Sequence, residues 1–229
     1  MKTLVILLIP LLWGICIVAD ETPQSDVKDD TEADEVTILF DGKTLKNWEE
    51  TGFAGEGGAE VEEGHLVLYR GEPMTGINWT GPALPTMNYE ITFDAQRAEG
   101  LDFFVCLTFP VNDSYCSLVM GGWGGATTGI SSVDGVDASE NETTGFYSFQ
   151  EGRWYKVRLR VTETHLQAWM DEECIVNFDH SERELTTRIE VEESKPLGLC
   201  TYVTKGIYRN MKLRHLGSGA QPEPVKVEQ

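Results

Sequence analysis

Cations are scarce in this 229-residue chain, where 18 lysines and arginines stand against 38 aspartates and glutamates, giving a formal net charge of −20. A surface so acidic repels nucleic acid and anionic lipid, which excludes the proteins that hold phosphate backbones by charge. Histidine is equally sparse, and His65, His165, His180 and His215 show no metal-ligand spacing. There is no Walker loop, no nucleophile elbow and no paired-carboxylate strand of the kind glucanases carry. No long amphipathic helix stands out, and beyond Val18 no apolar run is long enough to cross a membrane.

What is present begins with an exported layout. MKTLVILLIPLLWGICIVAD has a lysine, an apolar run from Leu4 to Val18 and then Ala19, as a secretory signal peptide over 1–19 does, with cleavage expected near Ala19. An uncleaved anchor is the alternative, although the run is short for a bilayer and contains Pro10. The expected location is secreted or periplasmic, without membrane insertion after cleavage. Residues 20–35 hold eight acids and one lysine without apolar periodicity, which reads as a disordered linker. One domain over 36–216 follows, and 217–229 reads as a loose tail. Cys106, Cys116, Cys174 and Cys200 remain after the signal and allow three complete pairings. Cys106 and Cys116, on opposite arms of one expected hairpin, are the first pair to test.

The body of the chain alternates with a period of two. Tyr89, Ile91, Phe93 and Ala95 share one face of a strand while Glu90, Thr92, Asp94 and Gln96 share the other. Tyr155, Val157, Leu159 and Val161 repeat the pattern, and strands through Leu166–Met170 and Cys174–Phe178 follow across short turns. Leu101–Phe109 is apolar on both faces, as a strand covered on both sides or facing a groove would be. Twelve to fourteen such segments with no long helix predict an all-β sandwich.

Several stretches resemble one secreted family. LFDGKTLKNW (39–48) is similar to the opening signature of the 3-keto-disaccharide hydrolase family, Val61–Leu66 to its second strand pair, and Gly206–Leu213 to its closing strand with an Arg-Asn pair. The resemblance implies a concanavalin A-like jelly roll of two antiparallel sheets. It also implies cleavage of a disaccharide oxidised at carbon 3, which requires a base, a proton donor and a group that polarises the ketone. The chain departs from the family's usual residues at Leu101-Asp102-Phe103, at Thr108, at Cys116-Ser117-Leu118 and over Cys200–Val203.

The expected partner is therefore a carbohydrate or glycoside, with no nucleic acid. A glycine-rich and then acidic loop, Gly121–Thr144, carries most of the candidates. Asp102, Asp134 and Glu140 are the expected catalytic carboxylates, and Trp123, Trp169, Asp137 and Asn141 the expected substrate-binding residues. Tryptophan stacks on the apolar face of a sugar ring, and Trp169, in the polar register of its strand with His165 and Gln167, is expected to be exposed. The loop acids offer oxygens to a divalent cation such as calcium, although their spacing fits no EF-hand. The competing reading is a non-catalytic glycan-binding or cell-surface module.

Overall fold

The computed structural model describes residues 35–225. The signal peptide read over 1–19 and the acidic segment up to residue 34 lie outside them. Fifteen strands form among the described residues. In chain order they are β1 (Val36–Ile38), β2 (Trp48–Glu50), β3 (Ala59–Glu62), β4 (His65–Leu68), β5 (Met74–Trp79), β6 (Tyr89–Gly100), β7 (Val105–Val111) and β8 (Ser114–Gly121). Then come β9 (Thr127–Ser131), β10 (Gly145–Phe146), β11 (Trp154–Val161), β12 (His165–Met170), β13 (Glu173–Asp179), β14 (Gly198–Tyr202) and β15 (Thr204–His215).

They make the expected sandwich of two antiparallel sheets. One runs β13-β12-β11-β6-β15-β4-β3 with β1 also on β15, and the other runs β10-β9-β8-β7-β14-β5-β2. The period-two faces meet between them. Tyr89, Ile91, Phe93, Tyr155, Val157 and Leu159 from the first sheet join Leu107, Phe109, Leu118, Ile130 and Leu199 from the second in one buried cluster. Buried phenols tie the layers. Tyr89 donates to the Pro110 carbonyl at 2.6 Å and Tyr208 to the Phe104 carbonyl at 2.5 Å. Burial pushes both phenols well up, so they stay donors across the accessible pH range.

Three expectations change here. Gly121–Thr144 is not one loop, because Thr127–Ser131 pairs with β8 as a full strand; its two threonines and Ile130 supply the β-branched content that the surrounding glycines mask. Asp102 stands in the bend before β7 rather than on a strand. Cys106 and Cys116 cannot pair, since Cys106 opposes Val119 while Cys116 opposes Phe109. They sit three residue rows apart, about 10 Å along the strand, and on opposite faces, beyond the reach of a disulfide.

The far face of the second sheet is also covered. Because the odd-numbered β7 residues Val105, Leu107 and Phe109 enter the core, Cys106 and Thr108 face outward. There Cys106 meets a cap made by a 3-10 helix, Ile189–Ser194, whose Val191 packs with Met74, Cys106, Val119 and Cys200, and Thr108 bonds the Ser117 hydroxyl at 2.9 Å. That explains why every residue of β7 is buried.

Candidate functional site

Where the cap stops short, a cavity of about 300 Å³ opens on the outer face of the second sheet. The strand alternation supplies its floor through Cys106 of β7, Ser117 and Val119 of β8 and Ser131 of β9, with Met74 and Tyr202 at one side. Phe103 and Tyr202 form an aromatic wall, their ring centroids 5.6 Å apart. Trp123 and Arg188 also line the cavity, the guanidinium carbon 5.9 Å from the indole centroid, within the range of a cation–π contact.

Trp123 is aimed by its backbone. It adopts a left-handed conformation with φ 49 and ψ 51 inside the turn Gly122–Gly125, which costs a bulky residue about 1–2 kcal/mol. Asp102 holds the turn, since one carboxylate oxygen accepts the Gly124 N–H at 2.9 Å and the other the Phe103 N–H at 2.8 Å. Arg97 grips the same turn from beneath through the Gly125 carbonyl at 3.3 Å. At Gly125, with φ +108, a Cβ would fall 2.7 Å from the Leu101 carbonyl, so only glycine lets the turn lie this close to the Asp102 bend. Asp102 itself is fixed by Thr204, whose hydroxyl exchanges 3.2 Å hydrogen bonds with its backbone N–H and carbonyl.

Arg188 is the charged centre of the cavity. Its Nε and Nη2 donate to the two Glu190 carboxylate oxygens at 3.1 and 2.8 Å, and its Nη1 donates to Asp137. Three of five N–H donors are thereby used. The Arg188 bond holds the Glu190 carboxyl below its usual range, so it is an ionised acceptor near neutral pH. Asp137 does not line the cavity. It accepts from the Ser132 hydroxyl at 3.0 Å and positions Arg188 from behind.

The structure thus brings Asp102 and Trp123 together and puts Asp137 one residue behind them. It does not bring the other candidates there. Asp134 and Glu142 both bind Arg183, and Asp134 also accepts the Glu184 N–H at 2.9 Å. Positive charge that a calcium ion would bring to these loop acids is supplied by guanidinium groups. Glu140 is exposed in a turn closed by Asp137. Asn141 is a buried brace rather than a ligand group: its amide donates to the Ile130 and Val136 carbonyls, and its oxygen accepts from Thr143. Trp169 is only 7% exposed on the opposite sheet, under Arg158 at 3.6 Å. The alternation does aim Trp169 outward, but Arg158 stacks over it and is held there by Glu223. Glu223 binds Arg158 at 2.6 and 2.9 Å, and its carbonyl accepts from Gln167, so this part of the expected loose tail is held.

Arg188, Glu190, Ser117 and Tyr202 were not among the expected site residues. A signal existed in TTRIEVEES, where one cation sits in an acidic run beside Ile189, an apolar residue left 87% exposed. Asp102, Phe103, Ser117 and Tyr202 all fall where the chain departs from the resembled family, and all line this one cavity.

Residues 35–214 match the 3-keto-alpha-glucoside-1,2-lyase-like domain. The chain belongs to that family. No curated protein matches it. Among solved structures, a glycosyl hydrolase candidate from Parabacteroides distasonis is 14% identical at a TM-score of 0.50, covering 81% of this chain and 95% of that one. The Crh5 transglycosylase is 10% identical at 0.54, over 82% and 86%. The carbohydrate-binding module CBM66 from Bacillus subtilis is 9% identical at 0.46, over 73% and 95%. For the first two the likeness, at such identities, is one of fold, the concanavalin A-like sandwich. This member of the 3-keto-glucoside lyase-like family is thus a domain of a carbohydrate-active group with the glucanase architecture.

Proposed function

We propose that the cavity binds one oxidised sugar ring and that the domain cleaves 3-keto glycosides by elimination across carbons 1 and 2. The observation carrying this reading is that the Arg188–Glu190 pair, the aromatic residues Phe103 and Tyr202, and Trp123 line one cavity of single-ring size. A ketone at carbon 3 acidifies the proton on carbon 2. Glu190, kept ionised by Arg188, takes that proton, and a remaining Arg188 N–H bonds the enolate oxygen that forms on carbon 3. The bond from carbon 1 to the glycosidic oxygen then breaks, and the leaving oxygen receives a proton from the Tyr202 hydroxyl. The products are a 1,2-unsaturated 3-keto sugar and the free alcohol. Water adding across the double bond makes the net outcome a hydrolysis, which reconciles lyase chemistry with the hydrolase expected from sequence. Trp123 stacks on the ring and Asp102 holds Trp123 in place.

A second reading, glycan binding without turnover, is favoured by the ion pairs that already satisfy Arg188 and by the altered family positions around it. Purified protein incubated with a 3-keto-α-glucoside and with its unoxidised parent separates the two. Release of the alcohol from the keto substrate only, with kcat reduced roughly 10²–10⁴-fold in Glu190→Gln, is the expected result. Saturable quenching of tryptophan fluorescence without any release leaves the binding module.

A further inference from the structure

Beneath the cavity lies a pair of thiols that the proposed reaction does not use. Cys106 of β7 and Cys200 of β14 are direct cross-strand partners, flanked in register by Leu107 opposite Leu199 and Thr108 opposite Gly198. Directly opposed residues of an antiparallel ladder point to the same face with Cα atoms about 4.5–5.5 Å apart, inside the 4.4–6.8 Å span that a disulfide bridges. Both side chains belong to the small apolar cluster capped by Val191. Cys106 is 2% exposed yet lines the cavity, whereas Cys200 is fully buried behind it. Their contact is chemical as well as spatial: hydrogen bonding with Cys106, and then burial, push the Cys200 thiol well up.

The other two cysteines among the described residues have no such partner. Cys116 faces the main core, and Cys174 is on β13 of the other sheet, its thiol donating to the Val176 carbonyl at 3.2 Å. We propose that Cys106 and Cys200 form a cross-strand disulfide under the cavity floor when the folded protein meets a disulfide oxidant. Cys106, reached through the cavity, attacks as the thiolate on one sulfur of the oxidant, and the other oxidant sulfur leaves and takes up a proton. Cys200 then loses its proton, attacks the Cys106 sulfur and releases the second oxidant thiol. Two protein thiols give up two electrons, and one oxidant disulfide becomes two thiols. The bond closes a loop over about half of the domain, fixing β14 to β7 independently of what the cavity binds.

The test uses the reduced native protein equilibrated with mixtures of oxidised and reduced glutathione, then unfolded, alkylated and digested without reductant. The expected product is one peptide pair joined through Cys106 and Cys200, with Cys116 and Cys174 alkylated and the intact chain lighter by two hydrogens. Its Tm should exceed that of the reduced form by roughly 10 °C, from the long loop closed. In Cys200→Ala the first step has no second, so glutathione should stay attached to Cys106. Alkylation of both Cys106 and Cys200 at every glutathione ratio overturns the proposal. So does a link from Cys106 to Cys116 or Cys174, or an adduct on Cys106 as abundant in the unsubstituted chain as in Cys200→Ala.

Discussion

Two places in the molecule are built from the same parts. On one sheet Arg158 lies 3.6 Å above Trp169 and binds Glu90 and Glu223. On the other, Arg188 lies 5.9 Å from Trp123 and binds Asp137 and Glu190. Each is an arginine against an indole with two carboxylates, but Trp169 is 7% exposed and Trp123 44%. The difference is the fourth side. The chain's own residues 221–223 close the first cluster, through Glu223 and the Gln221 carbonyl that accepts from Arg160 at 3.0 Å. Nothing from the described residues closes the second, where a cavity is left instead. A set of side chains that could hold a sugar is thus a structural clasp in one place and a site in the other, and only the covering segment decides which.

Truncating the two arginines is the largest way to break that contrast. Arg188→Ala should lower kcat/KM on a 3-keto glycoside by roughly 10²–10³-fold, the scale of losing one donor to a developing oxyanion, with stability changed by only about 1 kcal/mol at this half-exposed pair. Arg158→Ala should leave kcat/KM unaltered. It should cost about 2–3 kcal/mol of stability, because Glu90 is buried and loses one of its charged donors. Parallel denaturant melts and steady-state kinetics read both effects. Equal losses of activity in the two variants would erase the distinction drawn between clasp and site.

The tryptophans sharpen it at a smaller scale. Trp169→Ala opens a void under Arg158 and should destabilise by about 3 kcal/mol. Trp123→Ala removes a half-exposed ring from a strained left-handed position, so stability should move by less than about 1 kcal/mol. Its ligand affinity should fall by about 1–2 kcal/mol, roughly 10-fold or somewhat more, from lost stacking. Titration calorimetry on both variants checks this, and a Trp169→Ala protein that keeps its fold but loses affinity would move the site to the other sheet.

Strand alternation made half of this legible in the sequence. β6 and β11 separate into a core face and an outer face, and the expected directions of Tyr89 to Ala95 and of Tyr155 to Val161 are those observed, although Glu90 on the outer face is buried. The same rule aimed Trp169 outward correctly and still misjudged it. Period two reports which face a residue takes, not whether a segment more than fifty residues later returns to cover that face. β9 was hidden for a local reason, its TTGIS run lying among glycines that dominate the reading as loop. Arg188 was hidden for a long-range one. Its partner Asp137 is 51 residues away, and the turn that brings Trp123 within reach is set by Asp102, another 35 positions before Asp137. Asp102 and Trp123 were legible as a pair because they flank one hairpin.

The smallest effect concerns the clasp alone and depends on pH. The Arg158 hydrogen bond holds the Glu223 carboxyl below its usual range, with Coulomb attraction from Arg158, Arg160 and Arg214 adding to it. A carboxyl whose pKa is depressed on folding stabilises the fold above its unfolded pKa, near 4.3, and loses that contribution as pH falls through the lower folded value. Glu223→Gln should therefore lower stability by about 1 kcal/mol at pH 7, discounted for partial exposure, which is a Tm change of roughly 2–4 °C. Once the pH has fallen below that lowered folded value the two proteins should melt together, because protonation has then removed the same charge from Glu223. Throughout, kcat/KM measured at pH 7 should match that of the unsubstituted protein. A Tm gap that persists into acid would mean Glu223 acts by packing over Trp169 rather than by charge, and the two arginine clusters would then differ in kind and not only in what covers them.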